Sequence, residues 1–173
     1  MSKLGLYVGN NSLQMDDDNY FVNVSYENLR QILKLDHNLF EIVVLDKILQ
    51  KLDNFDLVLD NCKKLLKNLG QLIIIVPDYK LYEKCFWPSR YNKSHKQSFS
   101  LNLTQSSVPR ATHWNVEENL IPIIKSFGFV DFEVILDDNN FDYDLPILID
   151  QTKDGASCYI IIKCQLNKEN ENE

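Results

Sequence analysis

Residues 78–113 gather groups that bind anions, stack on flat ligands or carry protons: Asp78, Tyr82, Arg90, Asn92, His95 and His113. Histidine is the side chain suited to taking a proton near neutral pH, so His95 is the candidate general base of the stretch. Arg90 can hold a carboxylate or phosphate through two parallel hydrogen bonds. Each group also has a plainer reading. His95 can be a solvated loop histidine, His113 a structural cap ahead of the next helix, and Trp87-Pro88 reads best as an anchor that folds the loop onto the domain. His37 between Asp36 and Asn38 reads as a surface turn, and Asp16-Asp17-Asp18 as a solvated loop rather than a metal site.

The element that delivers the chain into this loop is the apolar run 72–77, Leu-Ile-Ile-Ile-Val-Pro, which ends abruptly at Asp78. A continuous β-branched run of this length reads as a buried parallel strand. In open α/β sheets, ligands sit outside the carboxyl ends of such strands. Further strands are predicted at 4–8, 20–24, 40–45, 130–136 and 157–164. Helical spacing is read at 26–35, a short turn at 47–52 and a helix at 116–127 that Pro122 either kinks or starts. Before the 72–77 strand, Val58, Cys62, Leu65, Leu66 and Leu69 fall on one helical stripe. Asp53 or Asn54 is the predicted cap, Gly70 the left-handed stop, and Lys63, Lys64 and Lys67 the solvated flank. Strand, helix and strand from 40 to 77 form a right-handed parallel crossover.

A length of 173 residues suits one domain, with 45% apolar and 25% charged residues. The net charge of -7 argues against a general binder of nucleic acid or anionic membrane. No apolar signal segment and no run near the ~18 residues of a membrane span is read, so the expected location is cytoplasmic. Cys62, Cys85, Cys158 and Cys164 lack metal-site spacing and read as reduced thiols. The expected organisation is one domain over 1–166 and a disordered polar tail over 167–173.

Taken in chain order, these elements resemble the compact branch of class I S-adenosylmethionine (SAM)-dependent methyltransferases. Lys3-Leu-Gly-Leu-Tyr-Val-Gly9-Asn-Asn stands where that branch writes KLNLGCGnn, and Phe21-Val-Asn-Val-Ser25 where it writes yvNVDis. Residues 65–70, Leu-Leu-Lys-Asn-Leu-Gly, followed by the strand ending Val-Pro-Asp, are similar to RvLKPGG and l.i.vP. Asp150-Gln-Thr-Lys-Asp-Gly-Ala156 is similar to a DQT.GGA phrase. The resemblance runs from about residue 3 to 164 on this alignment of motifs. It implies an α/β fold with a Rossmann-like methyltransferase sheet, mostly parallel with an antiparallel C-terminal edge strand and helices on both faces.

By the same resemblance, Gly9, Asn10 and Asn11 line the amino-acid end of a SAM cofactor, Asn23 faces its ribose, and Asp46 lies at the cofactor–substrate boundary. Asp46 reads equally as a cap for the turn after it. His95 and Asp78 become the expected catalytic groups, and Tyr82, Arg90, Asn92 and His113 the expected substrate wall. The implied function is methylation of a small molecule or sugar-containing metabolite. Expected partners are a small-molecule or glycan-type acceptor and a second copy of the chain in a homodimer, with no metal, nucleic acid or membrane. Three positions depart from the family pattern. Tyr7 replaces the first glycine of GxG, Asn23 the ribose-binding acid, and Gln50-Lys51 the Glu-His of vLEHl. These departures motivate the alternative, a catalytically inactive methyltransferase-like binding or partner subunit.

Overall fold

The computed structural model describes residues 3–9, 19–25, 28, 35, 37–103, 107–108, 112–146 and 148–168, the side chain of Asn19 aside. Apart from Asn28 and Leu35, the predicted helix at 26–35 lies outside the described residues, as does most of the loop after residue 9, Asn10 and Asn11 included.

Apolar β-branched runs become the strands. β1 (Lys3–Val8), β2 (Asn19–Val24), β3 (Phe40–Asp46) and β4 (Leu66–Pro77) are parallel. After the short strands β5 (Ser98–Ser100) and β6 (His113–Asn115) come β7 (Phe129–Asp137) and β8 (Tyr159–Leu166). The main sheet runs β2-β1-β3-β4-β8-β7. β8 is antiparallel to both β4 and β7, so the reversed strand is the last in sequence and sits one place in from the edge. The result is a mixed, mostly parallel sheet with flanking helices, α1 (Asp56–Leu65) in the β3–β4 crossover and α2 (Ile121–Ser126) before β7.

Period-two alternation decides which side chains make the core. Leu72, Ile74 and Val76 of β4 are fully buried, as are Leu6 of β1, Val43 of β3, and Ile160 and Ile162 of β8. Val58, Leu59, Cys62 and Leu65 from α1, with Ile121 and Ile124 from α2, complete the same cluster. Ile73 and Ile75 are only half-buried, so β4 is dry on one face and partly covered on the other.

Two local readings change. The helical stripe stops at Leu65 instead of continuing to Leu69, because Leu66 already pairs with Phe40 as strand. The register then jumps to Ile42↔Gln71, which leaves 67–70 as a bulge. Leu69, expected in the buried stripe, is 62% exposed. It also takes the left-handed conformation expected of Gly70, with φ 61°. Gly70 has a different role, since a Cβ there would lie 2.9 Å from both Leu66 Cδ2 and the Lys67 carbonyl. At Pro122 the chain avoids an unmade bond by opening a π-helical turn, Val116–Leu120, before α2 begins with the proline in its first turn. Asn115 caps that turn through Glu118 N. Asn167 and Lys168 hydrogen-bond back to Gly128 and Asn68.

Candidate functional site

The carboxyl ends of β3 and β4 open on a cavity of about 300 Å³. Its floor comes from Asp46 and Lys47 at the end of β3, and its wall from Gln50 and Lys51 on a single 3-10 turn, Leu49–Lys51. Pro77 ends β4 beside it, and Tyr159 lines it as the antiparallel partner of Pro77. Tyr82, Asn92 and His95 reach it from the loop after β4, and Thr152 from the turn before β8.

That loop is folded by its own polar groups. Asp78 Oδ1 accepts from Lys80 N and Leu81 N at 2.8 and 2.9 Å, closing the first turn. Lys84 and Cys85, both left-handed, reverse the chain, and the Tyr79 hydroxyl donates to the Cys85 carbonyl at 2.6 Å. Phe99 of β5 bridges Asp78, and Lys96 N and Gln97 N donate to the Gln50 carbonyl at 2.6 and 3.1 Å. The loop is therefore pinned at both ends against the cavity wall.

Within it, His95 Nδ1 lies 2.6 Å from Glu83 Oε1, and both side chains are buried. A carboxylate on Nδ1 holds the neutral ring as the Nδ1–H tautomer and leaves the Nε2 lone pair available. The Tyr82 ring lies beside the imidazole, with centroids 5.4 Å apart. Among the described residues, Glu83 Oε2 and Gln50 Oε1 have no hydrogen-bond partner. Burial pushes the Tyr82 and Tyr159 phenols up, so both stay protonated at neutral pH and serve as hydrogen-bonding groups rather than bases. Burial also lowers the Lys51 ammonium, opposed by attraction to Asp46.

Asp46 is the junction of two regions. Its Oδ2 accepts from the Tyr7 hydroxyl at 2.5 Å, and its Oδ1 lies 3.1 Å from Lys47 Nζ. Tyr7 thereby folds over Gly9, where a Cβ would come within 2.7 Å of the phenol oxygen and 2.8 Å of the ring. Asn23 is exposed, and its amide donates to the carbonyl of Phe21 on its own strand.

Of the residues singled out in the sequence, Asp46, Tyr82, Asn92 and His95 meet at the cavity. Asp78 is buried behind it in the turn just described. Arg90 is exposed and stacks its guanidinium 3.6 Å above the Phe86 ring. His113 is buried on β6, its two nitrogens 2.9 and 3.0 Å from the hydroxyls of Ser98 and Ser100, beside Tyr79. Gly9 and Asn23 stand at the ends of β1 and β2, on the far side of Tyr7 and Asp46 from His95. Sequence reasoning passed over Glu83, Lys47 and Tyr159, and read Gln50-Lys51 only as a departure from the family pattern and Thr152 only as part of the DQT.GGA phrase. The Pro-Asp turn and the strand end at Asp46 were signals for Lys47 and Lys51, but nothing in one dimension marks Glu83 as the partner of a histidine 12 residues later.

No family model matches the sequence, and no curated protein matches it. Solved structures do. A SAM-dependent methyltransferase from Archaeoglobus fulgidus superposes with a TM-score of 0.55 at 15% identity, over 95% of this chain and 86% of that one. A SAM-dependent methyltransferase from Methanosarcina mazei gives 0.52 at 10% identity, over 97% and 94%. Phosphoethanolamine N-methyltransferase 2 of Haemonchus contortus, in complex with phosphomonomethylethanolamine and S-adenosylhomocysteine, gives 0.54 at 13% identity. This chain covers 96% of itself but 50% of that enzyme in the superposition. The chain has the class I SAM-dependent methyltransferase fold.

The cofactor implied by that fold would rest on the ends of β1 and β2. The backbone there leaves a place, with no Cβ on Gly9, and the Tyr7 side chain fills it. The obstacle is a rotatable side chain whose hydroxyl donates to Asp46, so the seat fits the cofactor only with Tyr7 turned away.

Proposed function

We propose that this chain is a small SAM-dependent methyltransferase acting on a small molecule or sugar-containing metabolite. The observation that carries the reading is the buried Glu83–His95 pair at a cavity on the carboxyl ends of β3 and β4, in a methyltransferase fold. A bound SAM would supply an electrophilic methyl carbon. The chain's own share is to hold the acceptor and take its proton. His95 Nε2 is the base for a hydroxyl or amine, with Glu83 fixing the ring and stabilising the imidazolium that forms. Asn92, Thr152 and the Tyr82 and Tyr159 phenols orient the acceptor, and positioning supplies much of the rate. Asp78 and His113 hold up the loop and the small sheet, while Arg90 lies outside the cavity lining, over the Phe86 ring.

The Tyr7 contact with Gly9 and Asp46 favours a second reading, a non-catalytic binding or partner subunit of the same fold. Calorimetric titration with S-adenosylhomocysteine separates the two, using the natural chain and Tyr7→Gly. Binding to the natural chain, with a stability gain of about 2.7 kcal/mol at 100 times Kd that raises the melting temperature, is the outcome expected of the enzyme. Binding by Tyr7→Gly alone favours the partner subunit. Silence from both at millimolar ligand sinks the methyltransferase reading.

A further inference from the structure

Apart from Thr152, the loop between β7 and β8 takes no part in the cavity, yet its make-up is not that of a plain connection. Residues 137–154 hold six aspartates and one lysine, so much of the chain's net charge of -7 is placed here. Among the described residues, none of these six carboxylates is in an ion pair. Within the same loop Tyr143, Leu145, Leu148 and Ile149 are exposed, four of the eight large apolar side chains that reach water among the described residues. A loop that is merely solvated has no need of them, whereas apolar anchors interleaved with charge are the make-up of a protein interface. The backbone that carries them is braced. Gln151, 5% exposed, donates from Nε2 to the Asp142 carbonyl and accepts on Oε1 from Asp142 N, both at 2.7 Å. Ser157 N donates to the Asn139 carbonyl at 2.8 Å, and Ile149 N to that of Pro146 at 3.0 Å, closing a turn. The Phe141 and Tyr143 rings meet edge to face, with centroids 4.8 Å apart. Holding apolar side chains out on a braced loop lowers the ordering cost of binding. The Tyr91 hydroxyl donates to the Leu148 carbonyl at 3.3 Å, which sets this surface beside the loop that supplies Asn92 and His95.

We propose that residues 138–150 form a docking surface for a basic, amphipathic segment of another protein. Charge selects the occupant. The aspartates repel nucleic acid and anionic lipid, and a second copy docked through this face would set like charges against each other. Lysine or arginine on the partner pairs with the carboxylates, while its apolar side chains cover Tyr143, Leu145 and Leu148. The surface lies outside the cavity, so it serves an enzyme and a partner subunit alike, and its test needs no cofactor and no turnover.

The test titrates the full chain with a short amphipathic peptide of leucine and lysine, its leucine and glutamate counterpart, and oligolysine of the same charge, followed by amide chemical shifts in nuclear magnetic resonance. The leucine–lysine peptide should bind at least tenfold more tightly than either other probe, with shifts centred on residues 138–150. Leu145→Ser combined with Leu148→Ser, both exposed and safe for folding, should lower that affinity about tenfold. Asp144→Asn, also exposed, should lower it severalfold. Leu57→Ser removes an equally exposed leucine from α1 and should leave it unchanged. Shifts centred elsewhere, no binding, equal binding of oligolysine or of the glutamate peptide, or unchanged affinity in the folded double variant overturns the proposal. So does self-association in sedimentation, or binding to phosphatidylcholine vesicles, that the double variant abolishes, since either gives the face to another occupant.

Discussion

Glu83 and His95 show how much a single pair depends on being dry. At 2.6 Å and out of water, a carboxylate and an imidazole fix each other's geometry more firmly than they would on a surface. His95→Ala should reduce turnover of an accepted substrate by about 10²- to 10⁴-fold, the usual worth of a general base. Glu83→Gln should leave the ring in place but loosen its tautomer. Imidazole nitrogen chemical shifts would report this directly, and an unchanged Nδ1 signal would refute the positioning role. Asp78 is a different case. Burial raises its pKa, against the two N–H groups that stabilise its charge. A carboxyl with a raised folded pKa binds protons more readily folded than unfolded. Its penalty is absent below its ordinary pKa of 3.8, grows as pH climbs to the raised value, and is complete above it. Asp78→Asn keeps an oxygen for Lys80 N and Leu81 N, so it should match or exceed the natural chain in stability at neutral pH. Its advantage should vanish in acid. Asp78→Ala should lose about 1–2 kcal/mol in acid, since the turn loses its acceptor, and less at neutral pH, where the penalty of the buried charge goes with it. Urea unfolding across that pH range checks both.

At the scale of elements, the bulge at 67–70 carries its own prediction. Leu69 is exposed and left-handed, so its side chain contributes little burial while its backbone is strained. Leu69→Gly should raise stability by about 0.5–1 kcal/mol in chemical denaturation, against the usual cost of glycine in a strand. The strands were legible because their apolar β-branched runs are local signals. β3 and β4 were anticipated to within one residue at their carboxyl ends, where the cavity lies. The helix end was not legible, because Leu66 is equally good on a helical stripe and in a ladder, and only its pairing with Phe40 decides. The two readings left open at Pro122 resolved into a wide turn followed by a proline-led helix, a compromise that no propensity scale encodes. β5 and β6 were missed, being three residues each and joined across 12 others. Of the site, His95 could be found by residue type and Asp46 by its position at a strand end. Lys51 and Glu83 derive their character from burial, which the sequence does not display.

At the scale of the whole molecule, the layout separates two neighbourhoods along one edge of the sheet. The ends of β1 and β2 hold Gly9 and Asn23, the ends of β3 and β4 hold the cavity, and Tyr7 with Asp46 stands between them. The thiols report on how tightly the remainder is closed. Burial pushes Cys62 and Cys164 up to about 12 and Cys158 to about 11, while Cys85 is exposed. Brief treatment of the native chain with iodoacetamide should therefore modify Cys85 first, with the other three following only on unfolding, as peptide mass spectrometry would reveal. Early modification of Cys62 would contradict the packing of α1 on the sheet. The position of β8 has a consequence for the chain as it is made. Among the described residues, β7 has no ladder partner but β8, and β4 has none on that side until β8 arrives. On the ribosome, neither edge can close until β8 has emerged. A nascent chain halted just short of Tyr159 would display two adhesive strand edges at once, so truncation at that point should expose the chain to aggregation.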